Sequence, residues 1–425
     1  MKVRTFPNQI KGEITVPPSK SYAHRILLCA TFSRDKVKVG NLILNEDISA
    51  TMDVLRALGA EFEKVGEGEY IVTPVDRKKV DGKEVSVFAR ESGSTLRFLL
   101  PVLSALGAKA TVDGKEGLRK RPIKLLLDVL RAHGIEVGGD SLPVKLSGKL
   151  EAGEYVVDAS QSSQNVTGLL CALSLLDGKS QIKLEGERVS VGYIDITLDV
   201  LQSFGADIKK TEYGYDVVGA KKLEREYVCV EGDYSSSAFL FALGALSGEV
   251  KVKGLNPNSL QGDRAIISVL QNMGAKIEIL SDGVKIEKSD LKGLSIDATD
   301  IPDLIPIIAV CCACASGESE IKGVDRLKIK ESDRLKAVQD IMDAFGVGHE
   351  YSENVLKIYG GGAKTLPMGE ISGYNDHRIV MSAVVMAIAN GMNCTVTDAQ
   401  AIEKSYPAFF EDLEKLGGKG IVELL

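Results

Sequence analysis

VLRALGA (54–60) has five counterparts along the chain: VLRAHGI (129–135), VLQSFGA (200–206), VLQNMGA (269–275), IMDAFGV (341–347) and LEKLGGK (413–419). Each reads as the last turns of an amphipathic helix stopped by glycine, which enters the left-handed region without a Cβ penalty. The stopping glycines are Gly59, Gly134, Gly205, Gly274, Gly346 and Gly417, spaced 75, 71, 69, 72 and 71 residues apart. Six stops at that regularity mark an internal repeat.

A second set of segments runs in step with the first: PSKSYAHRILLCA (18–30), ESGSTLRFLLPVL (91–103), SSQNVTGLLCALSLL (162–176), DYSSSAFLFALGAL (233–246), IPDLIPIIAVCCACA (301–315) and NDHRIVMSAVVMAIA (375–389). Each has a small or polar opening and then a long apolar run, the pattern of a capped helix buried nearly all round. β-like stretches flank them, such as VSVFA (85–89) before and AKATVD (108–113) after. GEITV (12–16) stands in the leading position of the first repeat and YVCVE (227–231) in that of the fourth. Two short strands follow each stopping glycine, as in AEFEKV (60–65) and EYIVTPV (69–75).

The unit is therefore β-α-β-α-β-β, six times over, and its fold class is α/β of the α+β type. So short a unit barely buries its own faces, so the repeats are expected to cluster. The last repeat ends at GIVELL without its final strand, while KVRTFPN (2–8) is a strand with no repeat of its own. The N-terminal strand is thus expected to complete the sixth repeat. Two domains of three repeats follow: 17–228, and 1–16 plus 229–425, with the boundary near GAKKLERE (219–226).

Composition agrees. The chain has 425 residues, 44% hydrophobic and 26% charged, with net charge −7, which excludes intrinsic disorder and broad nucleic-acid binding. The longest apolar runs are core-helix length, and the N-terminus carries no apolar signal region, so a cytoplasmic protein with no membrane partner is expected. Seven cysteines face four histidines, and the cluster Cys311, Cys312, Cys314 reads as packing thiols rather than a metal site.

Helix N-termini bind anions through unpaired N–H groups and the macrodipole. The second-set helices open with Lys20, Ser21, Ser92, Gly93, Ser94, Ser162, Ser163, Gln164, Ser235 and Ser236, joined by Arg25, Arg97 and Arg378. Plain capping explains any one opening; all of them together favour an anion pocket. Further cations stand at 119–121 and in RLKIKESDR (326–334), where Lys330 and Arg334, four apart, would share a helix face. Asp303, Glu331 and His377 are candidate acid–base groups, with capping or core roles as the alternative for each. No nucleophile elbow, zincin or P-loop motif occurs, so phosphate handling falls to Arg, Lys and backbone donors, with no metal and no cofactor.

PSKSYAHR (18–25), SGSTLR (92–97), LRKRP (118–122), SSQ (162–164), GYIDIT (192–197), GDYSSSA (232–238), IPD (301–303), IKESDR (329–334), NDHR (375–378) and EKSYPAFF (403–410) resemble, in order and over nearly the whole chain, the 5-enolpyruvylshikimate-3-phosphate (EPSP) synthase family. The resemblance implies two similar domains in an inside-out α/β barrel-like arrangement, with the active site in the interdomain cleft. It implies transfer of the enolpyruvyl group of phosphoenolpyruvate to shikimate 3-phosphate through a tetrahedral intermediate, by a monomer without metal.

Carried over by motif, Lys20, Ser21, Arg25, Ser162, Ser163, Gln164, Ser190, Tyr193, Asp303 and Lys330 correspond to the shikimate 3-phosphate site. Lys20, Gly93, Arg121, Gln164, Arg334, Arg378 and Lys404 correspond to the phosphoenolpyruvate clamp. Asp303 resembles the base and Glu331 the acid, with Lys20 as a third catalytic group. Glu91 departs from the family's usual Asn, and a carboxylate there sits well only if it pairs with an arginine such as Arg97. The related transferase acting on a UDP-sugar has Lys-Asn where this chain has Lys20-Ser21 and a reactive loop cysteine that is missing from DGKEGLRKRP (113–122). A non-catalytic relative would be expected to lose Lys20, Asp303 or Glu331, and all three are present. Cations on both domains would repel until dianionic substrates arrive, so substrate-driven domain closure is expected.

Overall fold

Among the described residues, six four-stranded sheets follow one plan. In the second repeat, Glu84–Phe88 and Lys109–Asp113 run parallel, Val144–Ser147 lies antiparallel to Lys109–Asp113, and Glu136–Gly138 closes the edge antiparallel to Val144–Ser147. The parallel step needs a crossover, and the helix Gly93–Ala105 supplies it. Strand residues alternate between buried and exposed, whereas twelve of the thirteen residues of Gly93–Ala105 are buried. The second-set helices therefore lie inside, with the polar faces of the strands turned to water.

The structure is a computed structural model and describes residues 1–160, 162–186, 189–219 and 223–425. The chain divides into a continuous unit, Pro18–Val230, and a split unit, Met1–Pro17 with Glu231–Leu425. Part of the expected boundary segment, residues 220–222, lies outside the described residues. Each unit has its own apolar core, one built around Leu27, Leu99 and Leu170, the other around Leu240, Ile308 and Val384.

Val3–Thr5 pairs antiparallel with Thr395–Val396 and with Val422–Leu424, so the N-terminal strand fills the sheet of the sixth repeat. Two other strands differ from the sequence expectation. Ile10–Thr15, which precedes the first repeat's helix, pairs parallel with Gly248–Lys253 in the sheet of the fourth. Tyr227–Cys229, which precedes the fourth repeat's helix, pairs parallel with Val37–Gly40 in the sheet of the first. The two leading strands have changed places, because the chain passes between units immediately after each of them.

Five of the six stopping glycines have positive φ, from 66° at Gly346 to 111° at Gly59. The sixth is a correction: Gly417 is the last residue of the helix Phe409–Gly417, and Gly418, which follows it, has the positive φ of 81°. Cys311 and Cys312 are fully buried, and burial pushes the Cys312 thiol up to about 12. Among the described residues no helix is long and apolar enough to cross a membrane.

Candidate active site

In the continuous unit five helix openings are tied together by side chains. Lys20 and Ser21 open the helix Lys20–Thr31, and Lys20 Nζ lies 2.8 Å from Asp47 Oδ2, in the first turn of Glu46–Leu58. Ser92 caps Gly93–Ala105 by accepting from Thr95 N, and Ser162 caps Ser163–Leu173 by accepting from Gln164 N. Gln164 bridges these two helices, donating from Nε2 to Ser94 Oγ at 3.0 Å and accepting from Arg97 Nη1 at 3.2 Å. Ser190, buried and left-handed at φ 55°, precedes Val191–Ser203, which carries Tyr193.

Three arginines serve these openings, and none meets a carboxylate among the described residues. Arg25 donates to Thr197 Oγ1 (2.7 Å), Ser21 O (2.7 Å) and Tyr193 O (2.8 Å), and burial pushes it down to about 10. Its donors thus hold two expected site residues, Ser21 and Tyr193, in place. Arg97 donates to Gln164 and to Pro122 O (2.9 Å); burial, with Arg121 adding repulsion, pushes it down to about 9. Arg121 has a buried Nε with no hydrogen-bond partner. Its guanidinium lies across the start of Gly93–Ala105 so closely that a Cβ on Gly93 would sit 2.5 Å from Nη1 and 2.8 Å from Cζ. A side chain at Gly93 would have to displace that guanidinium. The neighbouring cations turn elsewhere, Arg119 to Asp113 and Lys120 to Glu116. Glu91 has its Oε1 beside Gly117, 3.1 Å from where a Cβ there would sit, and no ion pair with Arg97 is present.

The split unit is arranged differently. Asp303 is the hub: its Oδ1 lies 2.9 Å from Arg334 Nη1 and 3.3 Å from Lys330 Nζ, and its Oδ2 lies 3.2 Å from Arg378 Nη2. Arg334 is also gripped by Asp376, Nε to Oδ2 at 2.7 Å and Nη2 to Oδ1 at 3.2 Å, with both side chains buried. Burial alone would depress Arg334, but the charges of Asp376, Asp303 and Glu331 outweigh it and hold the guanidinium above its ordinary value. Burial pulls Asp376 up, and Arg334 overcomes it to leave the carboxyl below its usual range. Asp376 also caps His377–Ala389 by accepting from Arg378 N. Glu331 Oε2 lies 3.1 Å from His377 Nδ1, and Lys404 Nζ donates to Asn375 O at 2.5 Å.

Two local expectations are corrected. Lys330 and Arg334 do not share a helix: Asp325–Ile329 is a 3₁₀ turn, Lys330 is extended, and Asp333 caps a new helix at Arg334. They still meet, because both reach Asp303. Asp303 does not cap a helix either; it precedes Ile305–Cys314 by two residues. The expectation of mutual cation repulsion assumes bare cations, but Lys330, Arg334 and Arg378 of the split unit are paired with Asp303, and Lys20 of the continuous unit with Asp47.

Glu331, Asp376 and His377 each offer a ligand atom within 4.8 Å of the others. The Arg334 guanidinium already lies 2.7 Å from Asp376 and 3.7 Å from Glu331, so a dication there would meet a fixed positive charge. Asp47 and Asp376 were not singled out by sequence reasoning, because an acidic residue at a helix opening looks like an ordinary cap.

Residues 5–413 match the profile of the EPSP synthase (3-phosphoshikimate 1-carboxyvinyltransferase) family. The 3-phosphoshikimate 1-carboxyvinyltransferase of Clostridium novyi (strain NT) is 36% identical over 426 residues, covering 98% of this chain and 97% of that protein. Its counterpart in Clostridium kluyveri is 36% identical over 416 residues, covering 97% and 96%. Among solved structures, an EPSP synthase from Acinetobacter baumannii matches with a TM-score of 0.81 at 26% identity over 99% of both chains. The enolpyruvyl transferase NikO from Streptomyces tendae, 17% identical with a TM-score of 0.78, shares the fold.

Proposed function

The chain belongs to the EPSP synthase family, and on that premise we propose that its two clusters act together on one pair of substrates. The reaction is transfer of the enolpyruvyl group of phosphoenolpyruvate to the 5-hydroxyl of shikimate 3-phosphate, with release of phosphate, a step of the shikimate pathway. The observation that carries the assignment of roles is the contrast in charge: uncompensated arginines in one cluster, carboxylates amid cations in the other.

Lys20, Ser21, Arg25, Ser162, Ser163, Gln164, Ser190, Tyr193 and Lys330 hold shikimate 3-phosphate. Lys20, Arg121, Gln164, Arg334, Arg378 and Lys404 hold phosphoenolpyruvate, with Gly93 leaving room for Arg121. Asp303 takes the proton of the 5-hydroxyl as its oxygen attacks C2, and Glu331 gives a proton to the methylene C3, forming the tetrahedral intermediate. In the second step C3 returns a proton and the phosphate leaves with its bonding electrons, restoring the double bond. Three cations on one carboxylate make it a weak base. The role of Asp303 therefore requires that the substrates' phosphate and carboxylate oxygens draw Lys330, Arg334 and Arg378 away from it. Once these cations have moved onto the bound substrates, they face the charge that develops and need no further reorganisation at the moment of reaction.

Phosphate release with shikimate 3-phosphate and phosphoenolpyruvate tests the reading. Turnover is expected with that acceptor and none with UDP-N-acetylglucosamine; the reverse would overturn it. The same reading places the protein in the cytoplasm as a monomer acting on small molecules, which light scattering after size exclusion checks for its oligomeric part.

A further inference from the structure

Lys20 is held by more than its own helix. Its ammonium lies 2.8 Å from Asp47 Oδ2, with side chains only 16% and 11% exposed. Asn45 caps the Asp47 helix by accepting from Ile48 N at 2.9 Å. The Asp47 carbonyl accepts from Thr95 Oγ1 at 3.4 Å. Thr95 meets Ser92 Oγ at 2.8 Å and Thr51 Oγ1 at 2.6 Å, and Thr51 meets His24 Nδ1 at 2.7 Å. One buried chain of polar groups thus links the helices that begin at Lys20, Glu46 and Gly93, and it fixes the backbone from which the Asp47 carboxylate projects. A lysine side chain is long and flexible, so its direction has to come from a partner.

The charge pattern separates two explanations for this pair. Arg25, Arg97 and Arg121 in the same cluster meet no carboxylate among the described residues. A carboxylate placed in a cluster that attracts anions weakens anion binding, so Asp47 is a poor choice if binding were all that mattered. A buried stitch between helices could be apolar at no loss of stability. Directing the ammonium needs the carboxylate itself.

We propose that Asp47 is a positioning residue for enolpyruvyl transfer, aiming the Lys20 ammonium at the oxygens of phosphoenolpyruvate. The inference rests on the reading of Lys20 as a substrate-contacting group. An ammonium has three donors; Asp47 takes one, and this sets the directions of the other two. Charge on the departing phosphate grows toward the transition state, so a misaimed ammonium lowers turnover more than it weakens binding.

The test is a double-mutant cycle on the full chain, with Asp47→Asn, Lys20→Met and the pair, read as kcat and KM for phosphoenolpyruvate in the phosphate-release assay. Asp47→Asn is expected to lower kcat tenfold or more with KM changed less than threefold. In the Lys20→Met protein, adding Asp47→Asn is expected to change kcat less than twofold, because its effect runs through the ammonium. An unchanged kcat in Asp47→Asn, or an equal loss with and without Lys20, overturns the inference and leaves the functional reading standing. Full activity of Lys20→Met overturns the assignment of Lys20, and no turnover by the unaltered protein overturns the functional reading; either removes the inference as well. Asp47→Ser is carried in parallel, and thermal unfolding is followed for every protein. If both Asp47 variants unfold at assay temperature, Asp47 is a stitch between helices and the proposal fails.

Discussion

Arg97 and Arg334 are both buried arginines beside helix openings, and their surroundings are opposite. Arg97 rests on an amide and a carbonyl oxygen with a second guanidinium near, and it is pushed down to about 9. Arg334 touches Asp303, Asp376 and Glu331 and is held above its ordinary value. A buried charge without a counter-charge is costly, so such a site makes sense where a ligand brings the missing charge. A buried pair held by several hydrogen bonds instead makes a rigid platform. The continuous unit is thus suited to capturing anions, and the split unit to holding carboxylates in fixed relation to cations.

The largest expected effect removes the chemistry from the split unit. Asp303→Ala and Glu331→Gln should each lower kcat by about 10²–10⁴-fold, the range for general acid–base groups, with much smaller changes in KM. Full turnover in either variant would mean that its assigned role is wrong.

The next pair of variants tests the contrast in charge through stability. Asp376→Ala leaves Arg334 without its bidentate partner and should cost about 3–5 kcal/mol in urea unfolding. Arg97→Met removes an uncompensated cation and should leave stability within about 1 kcal/mol, while abolishing any thermal stabilisation by inorganic phosphate. Equal losses from both would erase the distinction between the two sites. Gly93→Ala is a narrower probe: its methyl displaces the Arg121 guanidinium, so KM for phosphoenolpyruvate should rise about tenfold, the value of one charged hydrogen bond, with kcat less affected.

The pH dependence of stability has opposite signs in the two units. Burial, aided by Lys20 and Arg25, holds His24 well below its ordinary value. The unfolded chain then binds the extra proton, and stability falls as pH drops below about 6.5. Burial and the charge of Asp303, partly offset by Arg378, push Asp263 up to about 6. The folded state binds that proton more tightly, so this group adds stability as pH falls from about 6 toward 4. His24→Gln should therefore flatten the acid loss, and Asp263→Asn should stabilise the protein near pH 7 by on the order of 1–3 kcal/mol, with the gain fading toward pH 4. Denaturant midpoints across pH 4–7 read both.

The repeat was legible because glycine stops are chemically forced and recur at nearly constant spacing. The N-terminal strand was legible because the sixth repeat lacked one. The crossing points near residues 17 and 228 already put Ile10–Thr15 with repeats four to six, but the strand partners of Ile10–Thr15 and Tyr227–Cys229 were not legible, since both strands carry the same alternation and the same distance to the next helix. The break between Lys330 and Arg334 has its signal in Asp333, a capping residue that starts a new helix at Arg334. Arg97 stood out as basic, but its importance comes from the carboxylates it lacks, which no local pattern records.

A crystal structure of the Glu331→Gln protein with shikimate 3-phosphate and phosphoenolpyruvate tests the division of labour most directly. The account predicts phosphoenolpyruvate held by Lys20 and Arg121 together with Arg334 and Arg378, and the 5-hydroxyl about 2.6–3.2 Å from Asp303. Substrates bound by residues of one unit alone, with Asp303 still closed on Arg334 and Arg378, would contradict it.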